Sequence, residues 1–352
     1  MQGLAQATRQ RVIKAHSGSG GLALEAVPLQ PVGEDDVLVR VRQAAICGTD
    51  LHLYRWNDWA ASHYRLPLPM GHEFAGVVEK VGSRVTRIQV GQHVAGETHL
   101  FCGHCRQCRM NRRHTCSNLR LFSKLGIGCF SDTLVVPAEV LRPLSEDMPF
   151  HRAAVMEPFG VGVRAAMEAD LRGRTVLVSG CGPIGLYAIV AARNLGAAAV
   201  LASDISPFRR ELALRVGASE IIDPAATPLT PAVHEWSRGD GVDAAIDASG
   251  NPDAIRAALA AVATGGTLVL TGVPNKPVEL DVAKHVINRE VNLRGMYGRL
   301  IDETWLIAER LMASAGAEVD RILTHTLPLT EFQQAFDLAS SGNAGKVTFS
   351  LA

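Results

Sequence analysis

A chain of 352 residues with 35 Lys plus Arg and 35 Asp plus Glu carries no net charge, which excludes nucleic acid and an anionic membrane surface as electrostatic partners. An apolar fraction of 47% fits a globular protein with a substantial core, and the length fits two domains of ordinary size. The most apolar stretch, residues 185–202, is broken by Arg193 and Asn194, against a membrane span, and no signal-peptide run follows the polar opening residues.

Residues 12–95 read as short strands broken by turns. Val37-Leu38-Val39-Arg40-Val41-Arg42 alternates with period two, and residues 74–81 form another apolar run before Gly82-Ser83. An all-β module is predicted here. It carries two short motifs, Ile46-Cys47-Gly48-Thr49-Asp50-Leu51-His52 and Met70-Gly71-His72-Glu73. A thiolate, an imidazole and a carboxylate are a ligand set that zinc accepts, and catalytic zinc sites draw three protein ligands and keep one position open. Cys47, His72 and Glu73 are the candidate ligands, with another carboxylate from elsewhere. Thr49 and His52 follow the cysteine by two and five residues. Their hydroxyl and imidazole could pass a proton from a metal-held alcohol to water. A buried cysteine among scattered histidines is the plainer reading of each residue alone, and the joint pattern weighs against it. Residues 56–64 are aromatic-rich and read as an irregular loop over this site.

The spacing Cys102-x-x-Cys105-x-x-Cys108-x7-Cys116 lets one small loop wrap four thiolates around a tetrahedral metal. Four sulfurs close the shell, so this is a structural zinc site, in a lobe at about residues 97–118. Arg106, Arg109, Arg112 and Arg113 would offset its negative charge. Such crowding suggests metal binding in a reducing cytoplasm rather than a disulfide framework. Cys129 and Cys181 read as structural. His99 precedes the cluster and is a further catalytic candidate. Glu157, before Pro158-Phe159-Gly160 in an apolar setting, is the candidate for the further carboxylate at the catalytic zinc.

From Thr175 the pattern changes. Val176-Leu177-Val178-Ser179 is a continuous apolar strand, followed by Gly180-Cys181-Gly182-Pro183-Ile184-Gly185 and a helical run over 186–195. Strand, G-x-G-x-x-G and helix together are the dinucleotide-binding setting, with the helix N-terminus facing the pyrophosphate. The next strand ends at Asp204, where an acid accepts the adenosine ribose hydroxyls and opposes a 2′-phosphate, favouring NAD over NADP. Arg209 could lie against the adenine. Strands at 220–223, 242–247 and 267–271 and a helix at 254–262 complete a doubly wound parallel sheet.

These residues together resemble the zinc-dependent medium-chain dehydrogenases over nearly the whole chain. Within that family, Tyr54-x-Trp56-x-x-Trp59, Gly96-Glu97-x-His99, Tyr297-Gly298-Arg299-x-x-x-Glu303-Thr304-Trp305 and Ser341-Gly342-x-x-Gly345-Lys346-Val347 are similar to the branch that acts on L-threonine. The resemblance implies an α/β protein with a GroES-like β-rich catalytic domain over residues 1–157 and 299–352. It places a Rossmann domain over 158–298, and implies NAD, two zinc ions per chain and a homotetramer. It also implies oxidation of a secondary alcohol, with Arg299 as candidate partner for a substrate carboxylate. Glu157-Pro158-Phe159-Gly160-Val161-Gly162-Val163-Arg164 departs from that branch, which has aspartate before the proline and histidine where Arg164 stands. Thr324-His325-Thr326 likewise has one basic group fewer. Glutamate before proline is more typical of polyol dehydrogenases, the rival reading. A non-enzymatic zinc or nucleotide sensor would need a broken ligand set or relay, and none is broken here.

Overall fold

The computed structural model describes residues 8–274 and 276–352. The chain divides into two compact units. One runs to Glu157 and takes back His325–Ser341 and Lys346–Ala352; the other holds Pro158–Thr324 and Gly342–Gly345.

In the first unit the strand Asp36–Ala45 is the hub of a seven-stranded sheet. Val37, Val39 and Val41 are wholly buried while Arg40 is exposed, the alternation of a strand with one dry face. Glu73–Val81, Thr133–Pro137 and Lys346–Ser350 all pair with it antiparallel. The register decides where chemistry collects. Ala45 lies opposite Glu73 on one side and Thr348 on the other, and Ile46 N–H donates to Val347 O at 3.0 Å. Three distant segments therefore end together at Cys47, Glu73 and Lys346.

The second unit holds a six-stranded sheet in the order Glu220–Ile222, Ala199–Ser203, Thr175–Ser179, Val242–Asp247, Val262–Leu270, Asn292–Gly295, with every neighbouring pair parallel. This doubly wound order reverses direction between Thr175–Ser179 and Val242–Asp247, the switch point where such sheets bind ligands.

Two expectations are corrected. The return to the first unit falls at His325, not at residue 299. The helix Ile301–Ile322 buries Trp305, Ala308, Met312 and Val319 and packs on the helix Pro183–Asn194, so its apolar face commits it to the second unit. The aromatic stretch is also not irregular. Asn57 caps a short helix, Asp58–His63, its Oδ1 accepting from Ala60 N–H at 3.0 Å. No helix among the described residues is long and apolar enough to cross a membrane.

Candidate active site and metal centres

The donor atoms of Cys47, His72 and Glu73 lie within 4.8 Å of one another. Cys47 is the N-cap of the helix Gly48–Arg55, and its N–H donates to Asp50 Oδ2 at 2.9 Å. Asp50 is 1% exposed, accepts from Gly71 N–H at 3.3 Å, and has its Oδ1 3.7 Å from His72 Nδ1. One carboxylate thus ties the two ligand-bearing turns together. Burial pushes Asp50 upward, against the pull of His72. Burial also works against charge on His72, but Cys47 and Asp50 outweigh it and raise its pKa well above the usual value. A soft thiolate, an imidazole backed by a carboxylate and a buried carboxylate suit zinc by their chemistry.

Sequence reasoning gave Lys346 no role, yet it completes this cluster. Its ammonium lies 2.7 Å from Glu73 Oε1 and 2.6 Å from Oε2, with both residues almost fully buried. Burial disfavours the charge on Lys346, but Glu73 holds its pKa above the usual lysine value; burial pushes Glu73 up despite Lys346. Glu73 is therefore shared between the donor cluster and an internal counter-ion. Glu157, in the first turn of the helix Met156–Glu168, stands outside the group of three close donors. It accepts from Thr98 Oγ1 at 3.2 Å and acts on His72, Glu73 and Lys346 through its charge. Beside it, His99 Nδ1 lies 2.8 Å from the wholly buried Glu97 Oε1, which orients the ring. Glu97 was also missed, although it lies only two residues away in the chain.

Thr49 and His52 sit on the helix that Cys47 caps. Thr49 is half-buried and His52 is exposed, an inner and an outer position along one helix. Trp59 meets the His52 ring edge-on at 5.8 Å, and Asn57 Nδ2 lies 2.9 Å from His52 Nδ1.

The other four cysteines converge as their spacing predicts. Sγ–Sγ distances are 3.5 Å for Cys105–Cys108, 3.8 Å for Cys105–Cys116 and 3.5 Å for Cys102–Cys116. Disulfide sulfurs would be bonded at about 2.05 Å, whereas thiolates around a tetrahedral zinc stand about 3.8 Å apart. Backbone N–H groups aim at the sulfurs: Cys102 N–H and Asn118 N–H each reach Cys116 Sγ at 3.3 Å, and Cys105 N–H reaches Cys102 Sγ at 3.4 Å. The Cys108 and Ser117 amides hold Cys105 down to about 5, in the thiolate form that binds metal. His99–Leu100 pairs with Arg120–Leu121 to close the base of this lobe.

In the second unit the G-x-G-x-x-G turn has the geometry of a phosphate cradle. Gly180 sits at φ +91°, and a Cβ on Gly185 would stand 1.8 Å from Gly180 O. A Cβ on Gly182 would meet nothing within 4 Å: the fold leaves that space open. Gly182 caps the helix Pro183–Asn194, and Pro183 and Ile184 are half-buried at its first turn. Asp204 is 9% exposed and accepts from Cys181 N–H and Ser206 N–H, both at 2.8 Å. That holds the carboxylate against the turn. Arg209 lies on the following helix, Pro207–Arg215. These residues fit a dinucleotide by the open space at Gly182, the helix N-terminus and the fixed acid.

Arg299 is 1% exposed, its Cδ 3.1 Å from the position a Cβ on Gly160 would take. Arg164, the departure noted above, is also buried and holds the same segment. Its Nη1 donates to Tyr297 O at 2.8 Å, and its Nη2 lies 3.3 Å from Glu168 Oε1.

A zinc-type donor set in a β-rich unit and a doubly wound dinucleotide fold define a nicotinamide- and zinc-dependent alcohol dehydrogenase. Known proteins agree. Residues 33–146 match the alcohol dehydrogenase GroES-like domain family, and residues 183–314 match the zinc-binding dehydrogenase family. L-threonine 3-dehydrogenase of Symbiobacterium thermophilum is 39% identical, covering 97% of this chain and 97% of its own. Among solved structures, a zinc-binding dehydrogenase of Sinorhizobium meliloti 1021 bound to NADP has a TM-score of 0.89 and 28% identity over 98% of this chain and all of the other. 2R,3R-butanediol dehydrogenase of Bacillus subtilis has a TM-score of 0.86 and 25% identity over the same shares. The chain belongs to the zinc-dependent medium-chain dehydrogenase superfamily.

Proposed function

We propose that this enzyme oxidises L-threonine at its C3 hydroxyl, with NAD as acceptor, to 2-amino-3-oxobutanoate. The observation that carries the chemistry is the convergence of Cys47, His72 and Glu73 within 4.8 Å, with Cys47 capping the helix that bears Thr49 and His52. When bound, zinc polarises the substrate hydroxyl and NAD accepts the hydride. Cys47, His72 and Glu73, with Glu157 nearby, would hold the metal, and the four-cysteine lobe would hold a second zinc as a closed structural site. Thr49 takes the hydroxyl proton as it passes its own on toward His52, which delivers a proton to water. His99, oriented by Glu97, is assigned to substrate recognition, and the Arg299 guanidinium matches a carboxylate. Asp204 favours the ribose hydroxyls of NAD over a 2′-phosphate. The exposed edge strand Asn292–Gly295 supports self-association, which we read as a homotetramer in the cytoplasm.

A polyol substrate is the second reading, favoured by Glu157 before Pro158 and by the likeness to a butanediol dehydrogenase. Initial rates with NAD on L-threonine, sorbitol and 2,3-butanediol separate them. Threonine should exceed either polyol at least tenfold in kcat/KM. Fast oxidation of a polyol with none of threonine would overturn the assignment.

A further inference from the structure

Asn57 makes two hydrogen bonds whose directions constrain each other. Its Oδ1 accepts from Ala60 N–H at 3.0 Å, the capping bond of the helix Asp58–His63. A backbone N–H can only donate, so the oxygen of this amide faces the helix. The nitrogen then faces His52, 2.9 Å from Nδ1. An amide nitrogen can only donate, so His52 Nδ1 must accept. We propose that Asn57 is a positioning residue that fixes the tautomer of His52: the neutral ring keeps its proton on Nε2, and Nδ1 takes up a proton only as Asn57 withdraws.

This rests on the reading of His52 as the outer end of the proton path. Asn57 stabilises the neutral ring, because a bond donated to the free lone pair is lost when that nitrogen is protonated. Proton uptake is thereby tied to release of a side chain whose other end stays anchored on the helix. The surroundings act in the same direction. Desolvation and the Arg55 charge, one turn along the same helix, both lower the pKa of His52. The helix packed against it brings Trp59, whose ring meets His52 edge-on, together with Asp58 and His63; His63 Nδ1 is 2.8 Å from Trp59 O. No carboxylate hydrogen-bonds His52 among the described contacts.

The test uses zinc-loaded enzyme labelled with 15N-histidine, with His52 assigned by its loss in His52→Gln. The wild-type ring should be the Nε2–H tautomer with a pKa below about 6.5. Asn57→Asp keeps a good cap but presents an acceptor to Nδ1. It should switch the ring to Nδ1–H and raise its pKa by about one unit or more. The low-pH limb of kcat/KM should rise with it. Asn57→Ser keeps the cap but is too short to reach the ring; its pKa should move only toward the ordinary value. A wild-type proton on Nδ1, or no change of tautomer and pKa in Asn57→Asp, overturns the proposal. If the ring switches while the pH profile of turnover stays put, Asn57 governs His52 as proposed and the relay reading falls instead.

Discussion

At the scale of single residues, the buried pair Lys346–Glu73 has more effect on the site than either charge alone. Removing one partner of a buried ion pair leaves the other uncompensated, at a cost of about 3–5 kcal/mol. Lys346→Met should therefore lower the melting temperature by several degrees and weaken zinc retention at Cys47, His72 and Glu73. Adding Glu73→Gln should recover most of the stability but not the activity. Calorimetry and metal analysis of the single and double variants check this. Glu168 makes a second case. Burial pushes its pKa up, but the Arg294 and Arg164 contacts outweigh it and hold it below the usual 4.5. A carboxylate with a depressed folded pKa stabilises above its unfolded pKa and loses that contribution as pH falls through the folded value. The stability gap between wild type and Glu168→Gln should hold near neutrality and shrink below about pH 4.5. A gap that widened in acid would contradict this.

Among the elements, the dinucleotide turn allows a contrast between two glycines three residues apart. A Cβ at Gly185 would collide with Gly180 O, whereas one at Gly182 has only open space around it. Gly185→Ala should thus cost on the order of 1–3 kcal/mol of stability through overpacking. Gly182→Val should fold normally and bind NADH at least tenfold more weakly, as read by fluorescence titration. This turn was legible because its information is local: a strand, three glycines and a helix in one short stretch. The four-cysteine lobe was legible for the same reason. Lys346 was not, because it lies 273 residues from Glu73 and only sheet register brings them together. The capped helix Asp58–His63 was hidden by its aromatic residues, though Asn57-Asp58 carried the signal of a helix start. The apolar face of the helix Ile301–Ile322 did not say which unit it would cover, so the boundary was misplaced.

Across the whole molecule, zero net charge gives no long-range repulsion between copies. The edge strand Asn292–Gly295 pairs on one side with Val262–Leu270 and is exposed along its length, Leu293 included. An open edge of this kind invites a second copy. Leu293→Pro removes a backbone donor there and should shift sedimentation of the enzyme toward smaller species. Unchanged sedimentation would rule out this edge as an interface.

The late place of Lys346–Ser350 in the chain, paired with the hub strand of its sheet, also orders events during synthesis. The four-cysteine lobe is complete once its closing strand Arg120–Leu121 has been made, so it can form early. Glu73 must wait for its counter-charge while 273 further residues are added, roughly 14–55 s at ordinary translation rates. Through that interval the strand Asp36–Ala45 lacks its Lys346–Ser350 neighbour, and the doubly wound unit likewise waits for Gly342–Gly345. The nascent chain thus holds its four-cysteine lobe long before Cys47, Glu73 and Lys346 can meet, and that meeting is among the last contacts of the molecule to form.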